Sequence, residues 1–229
     1  MAGFRTHITV STGCGLAYGA AAVNPLGFDP PTAVLAAGIT AVGGMLPDLD
    51  SAPGVPLRLT SGLVAALTPI MLLPRFHAAG FSHDGTLACM AAIYLFIRYP
   101  LVAVFKRVTV HRGMFHSIPA MLIAGLVVYL EYGGSPKLDA TAVTRNKLLL
   151  GGGVMIGFLS HLFLDELYSV DFNGVRIKLN SFAGTAVKFV SPSVWATCVC
   201  YGLLGGLGYV AYQDWMGRGL PIPWATAHP

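Results

Sequence analysis

The sequence predicts an all-α fold, a polytopic bundle of about six or seven transmembrane helices, and three observations carry that prediction. Hydrophobic residues make up 55% of the 229-residue chain and charged residues only 10%, whereas a water-soluble domain devotes about a quarter of its residues to Asp, Glu, Lys and Arg. Seven stretches are apolar enough to lie in a bilayer. Between them fall Pro, Gly and Asn, which end helices and close turns.

The first stretch, 8–23, is rich in Gly, Ala, Ser and Thr. With Arg5 before it and Ala20, Ala21 and Ala22 at its end it looks like a signal peptide, but polar Ser11, Thr12 and Tyr18 interrupt it, so it is read as a retained helix. Asn24-Pro25 and Pro30-Pro31 turn the chain into the second stretch, 32–47, which Pro47 ends. Stretch 60–74 follows. These three fall short of the roughly 20 residues a comfortable span needs, and are expected to tilt or to shelter against neighbours. Arg75, His77, His83 and Asp84 then read as a solvated loop.

Stretch 86–105 carries a single intramembrane charge, Arg98. Stretch 115–132 stops at Gly133-Gly134-Ser135-Pro136, and 147–165 leads into the longest connection, 166–192. There Asn173-Gly174 sits between short polar and apolar alternations, the pattern of a hairpin, which would lie at the membrane surface and lid the bundle. Stretch 193–213 closes the series, with Trp195, Tyr209, Tyr212, Trp215 and Trp224 as interfacial anchors. Seven helices use most of the chain, so residues 1–229 read as one membrane domain. Gly15 with Gly19, and Gly202 with Gly206, have the GxxxG spacing and are read as internal packing; the sequence sets no oligomeric state.

Some functions are excluded at this point. The net charge is +4 and no basic run reaches five residues, which argues against nucleic acid and fits contact with anionic lipid headgroups. Cys14, Cys89, Cys198 and Cys200 all lie in apolar stretches and read as packing residues. Cys198 and Cys200 are two apart, so on a helix they point about 200° from one another and make a poor metal clamp.

Parity along the chain points to a site. His7 starts the first helix, Asp48 and Asp50 end the second, His111 and His116 start the fifth, and His161 and Asp165 end the sixth. Alternate crossings put all seven on one face. His161 and Asp165 are i,i+4, about 6 Å apart along one helical face, a separation that two ligands of one ion can bridge. Ionisable groups in a membrane bundle normally face its interior or a cavity. On that same face lie Arg5, Arg58, Lys106, Arg107, Arg112, Arg176, Lys178 and Lys188, against Arg75, Lys137, Arg145, Lys147 and Arg218 opposite, an imbalance that turns the site toward the cytoplasm.

Gly44-Met45-Leu46-Pro47-Asp48-Leu49-Asp50, His111-Arg112-Gly113-Met114-Phe115-His116-Ser117 and Ser160-His161-Leu162-Phe163-Leu164-Asp165 resemble the successive motifs of the YdjM-like family of membrane-bound, metal-dependent hydrolases, whose hydrolase label itself rests largely on those motifs. His7 matches that family's N-terminal histidine, and Phe182 to Phe189 its segment after the last motif. The resemblance runs over roughly residues 4–190 and departs at Phe115, where many members have Thr. It implies residence in the plasma (inner) membrane of a prokaryote.

His and Asp without cysteine suit Zn²⁺, with Mn²⁺ or Fe²⁺ as alternatives, and the number of candidates suits one or two ions. His7, Asp48, His116, His161 and Asp165 are the expected ligands, Asp50 and His111 complete a second ion or act as acid and base, and Arg112 binds a phosphate or carboxylate. Glu166 points about 100° away from Asp165 and is left outside. A site at the membrane face suggests a lipid-linked substrate such as a phosphate ester. The contrasting readings are a metal or proton transporter, with Arg98 as a second station, and a noncatalytic scaffold.

Overall fold

A computed structural model describes residues 3–50, 55–104, 114–134, 138–172, 177–179 and 187–218, with backbone alone at 49–50, 55–56, 58, 60, 170–172 and 177–179. Among the described residues the chain forms seven α-helices: α1 (Phe4–Val23), α2 (Pro30–Gly43), α3 (Val55–Ala78), α4 (His83–Phe96), α5 (Ile118–Glu131), α6 (Ala140–Leu167) and α7 (Val194–Gly217). This is the helical bundle that the hydropathy predicts. A wider π turn, Ile97–Leu101, continues α4 to Val104. Between α6 and α7, β1 (Val170–Phe172) pairs antiparallel with β2 (Ile177–Leu179).

Helix starts are written in the local sequence. Asp29, Ser82, Ser117, Asp139 and Ser193 each accept a hydrogen bond from the backbone N–H three residues on, satisfying a donor that the first turn leaves without an intrahelical partner. Pro follows at the start of α2 and α5, where its missing N–H costs nothing.

Among the described residues three spans are long and apolar enough to cross a membrane: His83–Val104, Ala140–Leu167 and Val194–Gly217. Helices α2 and α5 have 14 residues each, about 21 Å of helix against a hydrocarbon core of about 30 Å. Their sequence stretches looked longer because the turn Gly44–Leu46 that follows α2 has the hydropathy of helix and aromatic Phe115 and Tyr132 flank α5.

Helix α6 is central and packs against α1, α2 and α5. One face of α1, made of His7, Ser11, Gly15, Gly19 and Ala22, is buried. Gly15 and Gly19 let α2 approach: a Cβ on Gly19 would stand 2.9 Å from that of Ala37. Gly202 and Gly206 differ from their reading as internal packing, since a Cβ built on either would meet nothing described within 4 Å beyond its own helix; identical spacing says nothing about whether that face has a partner. Cys200 is buried, whereas Cys198 is exposed and so is not the packing residue expected. The apolar core gathers Ala22, Ala33, Ala36, Ile39, Met71, Leu149, Leu150 and Val154, with Met121, Phe158 and Leu162 joining α5 to α6.

At the opposite end of α6 from His161, the fully buried Lys147 holds α7 in place. Its Nζ donates to Asp214 Oδ2 at 2.8 Å and lies 4.8 Å from the Tyr129 ring centre; Arg218 Nε and Nη2 and the Tyr129 hydroxyl donate to the same carboxylate. Removing one member of such a pair leaves a buried charge, so Asp214→Asn should lower stability in detergent by on the order of 3 kcal/mol. A thermal unfolding shift no larger than that of an exposed control, such as Gln213→Ala, would argue against this anchoring role.

Candidate metal centre

Helices α2 and α5 stop short at the same end of the bundle, and α1 and α6 run past them. Gly157 on α6 faces the end of α2, where a Cβ would stand 2.9 Å from Gly44 N. That close approach allows the Gly44 carbonyl to accept a hydrogen bond from His161 Nδ1 at 2.8 Å, one turn further along α6. Ser11, one turn along α1 from His7, closes the third side by donating to the Ala41 carbonyl at 3.1 Å. The chain leaves α2 through a 3₁₀ turn, Pro47–Asp50, which brings Asp48 over the end of its own helix. The N-cap of α5 positions His116, one residue before Ser117.

These stops and extensions gather five predicted ligands. His7, His116, His161 and Asp165 are at most 3% exposed; Asp48, at 14%, is the most open of the five. His7 Nε2 is 3.2 Å from Asp165 Oδ1, His116 Nε2 is 3.9 Å from Asp165 Oδ2, and His161 Nε2 is 3.7 Å from both Asp48 Oδ1 and Asp165 Oδ2. The His7 and His161 rings stack with centres 3.7 Å apart, and His116 meets His161 edge-on at 5.6 Å. Parity along the chain therefore does bring these groups together.

The donor atoms fall into two overlapping groups that could each hold a metal ion, His7 with His161 and Asp165, and Asp48 with His116 and His161; within each group they lie within 4.8 Å of one another. Two donors each about 2.1 Å from one tetrahedral ion stand about 3.4 Å apart, close to the separations seen here. The decisive feature is His161. Donation from Nδ1 to Gly44 fixes the neutral tautomer with its Nε2 lone pair directed at Asp48 and Asp165, and Nε2 itself is buried without a hydrogen bond. That outer partner is the usual device for orienting a metal-binding imidazole. Charge points the same way: a dication between two carboxylates and neutral imidazoles leaves no net charge in a dry pocket, where unpaired charge is costly.

His111 and Arg112 lie outside the described residues, as does the side chain of Asp50; 182–186 of the Phe182 to Phe189 stretch also lie outside them. Glu166 belongs to neither donor group. The sequence gives no sign of a site role for Ser11, Gly44 and Gly157, which shape the pocket without ligating. The 166–192 connection returns to this end, where Lys188 O accepts from Ile118 N at 3.0 Å.

A family model described as YdjM inner membrane protein matches residues 1–195. No curated protein and no solved structure matches the chain.

Proposed function

Since this chain belongs to the YdjM inner membrane protein family, we propose that it is a membrane-embedded, metal-dependent hydrolase acting on a phosphate ester, or another ester, of a lipid or lipid-linked substrate at the cytoplasmic face. The observation that carries this reading is the His161 arrangement: a locked tautomer, an Nε2 without a hydrogen bond and two facing carboxylates in a largely buried pocket.

His7, His116, His161, Asp165 and Asp48 hold one divalent ion, Zn²⁺ first and Mn²⁺ or Fe²⁺ as alternatives; a second ion would need Asp50 and His111. Such an ion supplies Lewis-acid polarisation and brings the pKa of water toward neutrality. The chain's own groups do the rest. The buried imidazoles exclude bulk water and keep the local dielectric low, which strengthens every charge interaction there. Asp48, the most exposed of the set, marks the side from which substrate approaches. Asp50 and His111 are the acid and base that take a proton from water and return one to the leaving alkoxide. Arg112 offers its planar fork to a phosphate. A lipid tail stays in the bilayer.

Transport is the second reading, and Lys147 with Asp214 gives it a polar station at the other end of α6. Residues 148–160 of that helix are Leu, Gly, Val, Met, Ile, Phe and one Ser, so α6 offers no ionisable step between the two ends. Purified protein should carry stoichiometric transition metal, and Asp48→Ala, which removes one ligand, should lower its metal affinity about a hundredfold. In liposomes it should release phosphate from lipid phosphates without moving ions. Ion uptake without ester cleavage would replace the hydrolase by the transporter, and metal-free wild type after supplementation would end both the metal and hydrolase readings.

A further inference from the structure

Beyond the first turn of the span His83–Val104, Arg98 is the one charged residue. The surrounding surface is apolar and open: Leu95, Phe96, Tyr99, Leu101 and Val104 are all exposed. Arg98 is drawn back onto α3, where Nη1 donates to Ser61 Oγ at 3.1 Å, and the Ser61 residue is 2% exposed. Among the described residues no carboxylate forms an ion pair with Arg98. A guanidinium has five N–H donors, and hydrocarbon satisfies none of those that Ser61 leaves.

Local backbone shape exposes that deficit. Pro100 sits within the π turn Ile97–Leu101, and such a widened turn is a frequent mark of functional positions. A groove of about 540 Å³ is lined by Arg98, Tyr99, Pro100, Val102 and Ala103. Ser61 lies six residues after Val55, where α3 begins next to the turn carrying Asp48, so the groove lies toward the metal-centre end of the bundle. Tyr99 beside it is amphipathic, as residues at the depth of lipid headgroups are.

The anion that matches this chemistry is a phosphodiester with its tails in the bilayer: the fork of Arg98, held in place by Ser61, donates to two phosphate oxygens, and the face of α4 that no described residue covers lies along the acyl chains. We propose that Arg98 and Ser61 form a binding site for the phosphate of an anionic phospholipid in the leaflet on the metal-centre side. The site does not depend on hydrolysis.

Full-length protein in non-ionic detergent is titrated with phosphatidylglycerol, and bound lipid is counted by native mass spectrometry. Wild type should retain one lipid that Arg98→Gln loses, with an affinity decrease of about fivefold. Arg98→Lys and Ser61→Ala should fall between. His161→Ala should bind lipid as wild type does, which separates this proposal from the metal reading. Equal retention by Arg98→Gln, with normal size-exclusion behaviour and metal content, would mean that Arg98 merely reaches for the interface and would overturn the site. Should Arg98→Gln fail to fold, wild-type affinity in Ser61→Ala would overturn it as well. Competition by millimolar inorganic phosphate would reassign the site to a free anion and reject the lipid.

Discussion

His161→Ala should remove tightly held metal while leaving the protein folded. Structural zinc sites bind with roughly 10–16 kcal/mol from four ligands, so one ligand accounts for roughly 3 kcal/mol and its loss lowers affinity about a hundredfold. His161 should suffer at least this loss, because both donor groups include it and it faces Asp48 and Asp165 together. Two effects oppose each other in stability. Removing the ring deletes its stacking on His7 and its bond to Gly44, but it also relieves crowding among three imidazoles when no ion is present. Metal content after zinc supplementation and chelation reads the loss of affinity, and thermal unfolding with and without zinc reads the balance of the two stability effects. Wild type should gain stability on zinc addition by ligand linkage, and the variant should not. Unchanged metal content and an equal zinc shift in both proteins would put the ion elsewhere.

How much of this was legible in the sequence depends on what kind of signal each residue leaves. His7, Asp48, His116, His161 and Asp165 stand out because they are ionisable groups at the ends of apolar runs, and counting crossings assigns them a face without any contact being known. The ends of α2 and α5 were not legible to the same accuracy. Gly43, Gly44, Met45 and Leu46 are as apolar as helix, yet α2 ends at Gly43, because Gly44 turns its carbonyl to His161. Glycine spacing is silent in a further way. Gly15 and Gly19 are packed against α2 while Gly202 and Gly206 have no described residue against them, although both pairs have the same spacing in apolar helices. Which glycine is a contact depends on the partner helix, and a single sequence does not display that. Lys147 and Asp214 are similar: 67 residues separate them, and nothing local to either announces the pair.

Gly157→Val should be the most damaging single change to the helix framework, and it tests whether the pocket depends on close helix approach. Even a Cβ there would stand 2.9 Å from both the Gly44 nitrogen and the Thr40 carbonyl carbon, backbone atoms that cannot rotate away. The end of α2 must therefore move off α6. Overpacking of this kind costs about 1–3 kcal/mol, occasionally more. The displacement also withdraws the Gly44 carbonyl from His161 Nδ1, freeing the ring to rotate or change tautomer, and loss of such an outer partner lowers metal affinity by about 10–100-fold. Gly206→Val is the matched control, since a Cβ built there would meet nothing described within 4 Å beyond its own helix and valine there should be nearly neutral. Thermal unfolding and zinc titration of both variants decide the matter. Gly157→Val should lose stability and metal affinity together, whereas a variant that loses stability but binds zinc as wild type does would show that the His161 tautomer is set without Gly44. Gly157→Ala should fall between, because a single methyl demands a smaller shift of α2 than an isopropyl group does.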